Sequence, residues 1–146
     1  MRFICFVKAT EESERGEMPS TELFEAMGAF NQEMIDAGIM LGGDGLKPSS
    51  KGARIRYSGA DRSVTLGPFA ETSELVAGYW VIDVPTLDDA IAWMKKCPNP
   101  MLSESEIEIR PYVEAADFGE AFTDELRQAE EGMREQIQAQ HGDAQL

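Results

Sequence analysis

Six side chains of this 146-residue chain stand where they could do chemistry: two carboxylates, two guanidinium groups and two aromatic rings. Glu71 belongs to Leu66-Gly-Pro-Phe-Ala-Glu-Thr72, which packs a glycine, a rigid proline, a ring and an acid between two strand-like segments. Turn chemistry accounts for Gly67-Pro68 but leaves Phe69 and Glu71 unexplained. A carboxylate beside an apolar wall is a candidate acid or base, because desolvation raises its pKa. Asp44, in Gly42-Gly-Asp-Gly45, is the second such candidate. The glycines around it suit a turn, and they also leave bare backbone N–H groups able to line a pocket. Arg54 and Arg56 share one strand face at a two-residue spacing. They are either solvated edge charges or a clamp for a substrate carboxylate, which Lys8 could join. Phe69 and Trp80, or Tyr79, would wall the same pocket, although Trp80 and Trp93 also read as core.

Other chemistries lack their residues. His141 is the one histidine, and only Asp143 lies near it at a ligand spacing, so neither a metal site nor a Ser-His or Cys-His pair is expected. Cys5, in a strand, reads as an inert buried thiol, and Cys97 at a helix end offers no more. Two cysteines make no disulfide scaffold and point to a reducing, cytoplasmic setting. The glycine segment fits neither GxxxxGK[ST] nor GxGxxG, and no flavin or heme motif is visible, so no cofactor is expected. A formal net charge of -14 repels a phosphate backbone and argues against nucleic acid. The apolar run Phe3 to Val7 is too short for a secretory core or a membrane span.

The elements that must position these residues follow from periodicity. Arg2 to Lys8 reads as a central strand buried on both faces, followed by a polar stretch from Thr10 to Glu17. Ser20-Thr21 caps a helix with Leu23, Met27, Phe30 and Met34 on one stripe, closing at Gly38, and its methionines read as core filler. Ile39 to Gly45 is a short strand running into a glycine-rich turn. Ala53 to Tyr57 and Arg62 to Leu66 form a hairpin. Ala77 to Val84 is a further strand, and Thr86 caps a helix carrying Leu87, Ala90, Ile91 and Met94, stopped by Cys97-Pro98. Glu106 to Val113 alternates as a last strand, which Pro111 assigns to an edge or a terminus.

Residues 114–146 hold nine acids against Arg127 and Arg134, half of the net charge. Thr123 caps a helix there with a narrow stripe of Leu126, Ala129, Met133 and Ile137, ahead of a polar tail expected to fray. The chain therefore divides into a domain over 1–113 and an acidic helical extension over 114–146. The fold class is α+β, a ferredoxin-like βαββαβ with an inserted hairpin plus a C-terminal helix. Two helices cover one sheet face, so a second copy is expected to cover the other in a homodimer.

Several blocks resemble the YCII-related family, in its DGPF-domain subgroup. They are Leu41-Gly-Gly-Asp-Gly-Leu46 with Pro48-Ser-Ser-Lys-Gly-Ala-Arg54, Gly67-Pro-Phe-Ala-Glu-Thr72 with Glu74-Leu75, and Gly78-Tyr-Trp80 with Cys97-Pro-Asn-Pro100. Met1-Arg-Phe3, Val7-Lys-Ala9, Met18-Pro-Ser20 and Asp117-Phe-Gly-Glu-Ala121 match as well. The resemblance implies a dimeric α+β barrel with a pocket between sheet and helices in each subunit, and it fixes no reaction. For some relatives a His-Asp pair is suggested as acid and base. Here Leu66 stands where the subgroup carries its aspartate, and no core histidine completes a pair. Two functions are expected. One is binding of a small anionic metabolite between sheet and helices, with possible acid/base work by Glu71 or Asp44. The other is a regulatory role beside an extracytoplasmic-function sigma factor, since genes of the family often adjoin such factors and the acidic helix could dock a basic partner.

Overall fold

The computed structural model describes residues 1–142. Strand β1 (Arg2–Lys8) alternates strictly, Phe3, Cys5 and Val7 buried and the residues between them half-buried. One face of β1 is thus core and the other only partly covered, which corrects the expectation of a strand buried on both faces. The polar stretch after it forms a one-turn helix, α1 (Glu11–Glu14), held by a capping box: the Ser13 N–H donates to the Thr10 hydroxyl at 3.3 Å and the Thr10 N–H to the Ser13 hydroxyl at 2.9 Å. Helix α2 (Thr21–Asp36) starts where the Ser20 hydroxyl accepts the Leu23 N–H, and its end leads into Gly38 at φ 71. Phe30 and Met34 are its buried stripe.

Strand β2 (Met40–Gly45) contains the glycine segment, which is paired strand rather than turn. The hairpin comprises β3 (Ala53–Ser58) and β4 (Asp61–Leu66), in register from Ala53 opposite Leu66 to Ser58 opposite Asp61. Strand β5 (Val76–Asp83), helix α3 (Leu87–Lys95) capped by Thr86, and strand β6 (Ile107–Pro111) complete the core. Helix α4 (Asp124–His141) is capped by Thr123, and the tail over 143–146 lies outside the described residues.

The main sheet runs β2-β5-β1-β6, with every pair antiparallel. With α2 and α3 this is the ferredoxin-like βαββαβ, and the β3–β4 hairpin is a separate two-stranded insertion after β2. Strand β6 is an edge and Pro111 ends it, where a missing backbone N–H costs no ladder bond. Phe3, Cys5 and Val7 face Ile82, Trp80 and Gly78 across β1 and β5, and pack with Phe30, Met34, Ala90 and Met94 into one core. Phe30 and Trp80 meet edge to face at 6.0 Å. Ile4, Phe6 and Tyr79 occupy the second face and remain half-buried. Among the described residues no helix is long and apolar enough to cross a membrane.

Candidate functional site

The helix-side face of the sheet does not fill the space beneath the start of α2. Two adjoining hollows, of about 390 and 380 Å³, open there and share Pro19, Phe24, Gly45, Ala77, Pro100 and Met101. The inner one runs over Val7 and Trp80 to Leu23, Met27 and Asn31 of α2, and the outer one ends among Thr10, Ser13, Glu17 and Lys47. Four of the eight methionines, Met18, Met27, Met40 and Met101, line this groove. Thioether side chains adapt their shape to a ligand more readily than branched ones. Trp80 is fixed at the base of the inner hollow, its indole N–H donating to Asn31 Oδ1 at 2.9 Å. Met101 is held beneath the Thr10 hydroxyl, 3.7 Å from its sulfur.

Gly43 makes this wall possible. A Cβ there would stand 2.8 Å from the Tyr79 carbonyl oxygen and 2.9 Å from Trp80 Cδ1, so the edge strand approaches Trp80 only as glycine. Asp44 lies on the same wall, but the register places it opposite Tyr79 and Gly43 opposite Trp80. Asp44 and Trp80 therefore belong to opposite faces of the sheet. A bulge between Met40 and Gly42 causes this, because one extra residue reverses the alternation beyond it.

Arg54, Arg56, Phe69 and Glu71 are placed elsewhere, on the hairpin and the segment after it. The Arg54 guanidinium stacks over the Phe69 ring at 4.0 Å, and Arg56 stands exposed two residues on. The Phe69 N–H donates to the Ser49 hydroxyl at 3.1 Å, and that hydroxyl donates to the Glu14 carboxylate, which also accepts the Ser49 N–H at 3.0 Å. Gly67 threads past this anchor so closely that a Cβ would fall 1.7 Å from the Ser49 carbonyl oxygen. Glu71 has left-handed backbone, φ 62, an exposed side chain, and a carbonyl that accepts the Glu74 N–H at 2.9 Å. Its backbone shapes the turn. The six candidates are thus divided: Trp80 at the base of the groove, Asp44 at its edge strand but on the other face of the sheet, and the remaining four at the hairpin.

Glu14, Ser49, Asn31, Lys47 and Met101 were not anticipated. Glu14 lies in a polar stretch without periodicity, and its partner is 35 residues away. Only the half-apolar Met18-Pro19 and Pro100-Met101 segments carried a trace of the groove. Burial pushes the Cys5 thiol up to about 12 and the Cys97 thiol to about 11, which keeps both protonated and unreactive near neutrality. Among the described residues no cluster of His, Cys, Asp and Glu could hold a metal ion.

The model of the YCII-related domain matches residues 1–116, from β1 through β6 and the turn beyond it. The chain belongs to the YCII-related family. Within it, an uncharacterised protein of Rhizobium meliloti (strain 1021) is 27% identical over 108 residues, 74% of this chain and 87% of that one. The matched YCII-related region contains the whole groove and the hairpin, whereas α4 lies beyond it.

Proposed function

We propose that this YCII-related protein binds a small amphiphilic metabolite in the groove between α2 and the sheet. The observation that carries the reading is the convergence of Met18, Met27, Met40 and Met101 with Trp80 and Phe24 around an open hollow of ligand size. An apolar body lies against these walls, and Lys47 at the outer end receives an anionic head group. Arg54 and Arg56 stand apart from this space, so the head group meets an ammonium rather than a guanidinium clamp. Asp44 and Glu71 would act as acid or base only on a substrate reaching the Tyr79 face of the sheet or the hairpin turn.

The protein works as a homodimer in this reading. Ile4, Phe6 and Tyr79 leave the second sheet face partly open, and the hairpin carries an uncovered apolar face of Ile55, Tyr57, Val64 and Leu66, exposed by 53% to 75%. A lone two-stranded hairpin is marginal in water, and a second copy supplies the missing cover. The alternative, docking of a partner such as a sigma factor, draws on α4, whose Leu126, Met133 and Ile137 are each about half exposed.

Native mass spectrometry of freshly purified protein, before and after adding octanoate, tests both parts. A dimer that retains a small molecule or takes up octanoate is expected. A monomer overturns the paired assembly, and a protein that neither retains a ligand nor binds octanoate overturns the groove.

A further inference from the structure

We propose that in the paired assembly, on which this inference rests, helix α4 of one copy lies across the apolar face of the hairpin of the other, and the second α4 returns the contact. Every residue of β3 and β4 is exposed, on both faces of the ribbon. The register gathers Ala53, Ile55, Tyr57, Val64 and Leu66 on one of those faces. A free-standing pair of strands is marginal in water. Helix α4 is in the same position, since none of its residues is buried and Gly132 is a poor helix former in its middle. Such a helix draws most of its stability from packing an apolar face. Leu126, Ala129, Met133 and Ile137 form that face, and all four are exposed.

The two elements carry opposite charge that their own chain leaves uncompensated. Within 47–66, Lys47, Lys51, Arg54, Arg56 and Arg62 stand against the one acid Asp61, in a chain of net charge -14. Among the described residues none of these five cations makes an ion pair. Helix α4 carries Asp124, Glu125, Glu130, Glu131 and Glu135 against Arg127 and Arg134. Glu130 pairs with Arg134 at 2.6 Å, and among the described residues the other four acids make no ion pair. Helical spacing sets Glu125 and Glu130 along the two borders of the apolar stripe. Arg62 lies over the Tyr57 ring at 4.6 Å, which brings a guanidinium to the end of the hairpin's apolar face. Apolar cover with a polar rim of matching charge is what orients one surface on another.

The lengths agree as well. Leu126 to Ile137 spans about 17 Å of helix, and the six paired positions of the hairpin span about 17 Å of strand. Within one chain the two elements do not pack on each other. The hairpin follows β2 at one edge of the sheet, and α4 follows β6 at the opposite edge. Two-fold pairing makes the contact twice, so that both ribbons and both helices are covered and the assembly closes at two copies.

The test uses the full chain, as a one-to-one mixture of carbon-13-labelled and unlabelled protein, and reads isotope-filtered NOEs that arise only between copies. Cross-peaks are expected from the Ile55, Val64 and Leu66 methyl groups of one copy to those of Leu126, Met133 and Ile137 of the other. Met133→Glu with Ile137→Glu, and separately Val64→Glu, should each weaken the dimer at least about tenfold in sedimentation equilibrium. All three changes together should cost less than the product of the separate effects, because they remove one shared contact. Gln128→Ala, on the far side of α4, should leave the dimer unchanged. A monomer overturns the paired assembly and this contact with it. A dimer in which the hairpin methyls meet only the other copy's sheet or hairpin, or in which hairpin-to-α4 NOEs appear in fully labelled protein and vanish from the mixture, overturns this contact and leaves the pairing standing. The NOEs of the unaltered protein decide the matter even where a variant fails to fold.

Discussion

The groove and the hairpin carry similar residues, aromatic rings beside charged and polar groups, and use them in opposite ways. At the hairpin the groups satisfy one another: Arg54 lies on Phe69, Arg62 on Tyr57, and Glu14 takes both donors of Ser49. At the groove the few polar groups are spaced along a methionine wall and leave volume between them. The motif richest in unusual residues is thus an anchor, and the hollow lies where the sequence is plain. Residue types that suit a ligand equally suit each other, and only tertiary placement separates the two outcomes.

The largest expected effect sharpens that contrast. Trp80→Ala removes the groove floor and a core side chain together, and should cost about 3–5 kcal/mol of stability along with octanoate binding, read by thermal unfolding and calorimetry. Gly67→Ala drives a Cβ against the Ser49 carbonyl, and a loss of about 2–3 kcal/mol is expected as the hairpin base shifts. Octanoate affinity should survive at temperatures where this variant is folded. A groove lost with Gly67→Ala and kept with Trp80→Ala would reverse the two assignments.

Glu14→Gln is a milder cut at the same anchor. It replaces a charged acceptor of two Ser49 donors, and should cost about 1–2 kcal/mol in denaturant unfolding with groove binding unchanged. Alkaline pH probes the other region, since Cys5 stands opposite Trp80 across β1 and β5. Both thiols are raised from 9.0, so the unfolded chain loses these protons first. Their contribution is intact below pH 9 and declines as pH climbs toward 11 and 12. Cys5→Ala should flatten that decline in unfolding curves recorded across the range. The smallest effect belongs to Arg56→Ala, a substitution of an exposed strand residue, expected within about 0.5 kcal/mol of the parent and without effect on octanoate.

Much of the fold was legible because its signals are local. Ser20, Thr86 and Thr123 cap helices where their types and positions indicated, and the hairpin pairs about the expected turn. Strand β1 was visible as a strand too, but its two-sided burial was inferred from apolarity, whereas burial depends on what covers each face. The site was less legible for a definite reason. Counting by twos from Met40 places Asp44 on the helix side, and the bulge at Leu41, which nothing local marks, sends it to the other. The Glu14–Ser49 contact and the meeting of Pro19 with Pro100 and Met101 are set by how the chain closes in space. No pattern within one segment encodes them.

The most direct test of the groove is NMR of methionine methyl signals during titration of octanoate into the unaltered protein. The account predicts shifts at Met27, Met40 and Met101, together with the Trp80 indole N–H, while Phe69 and Arg54 stay still. Shifts confined to the hairpin, or no shift at any of these groups, would contradict it.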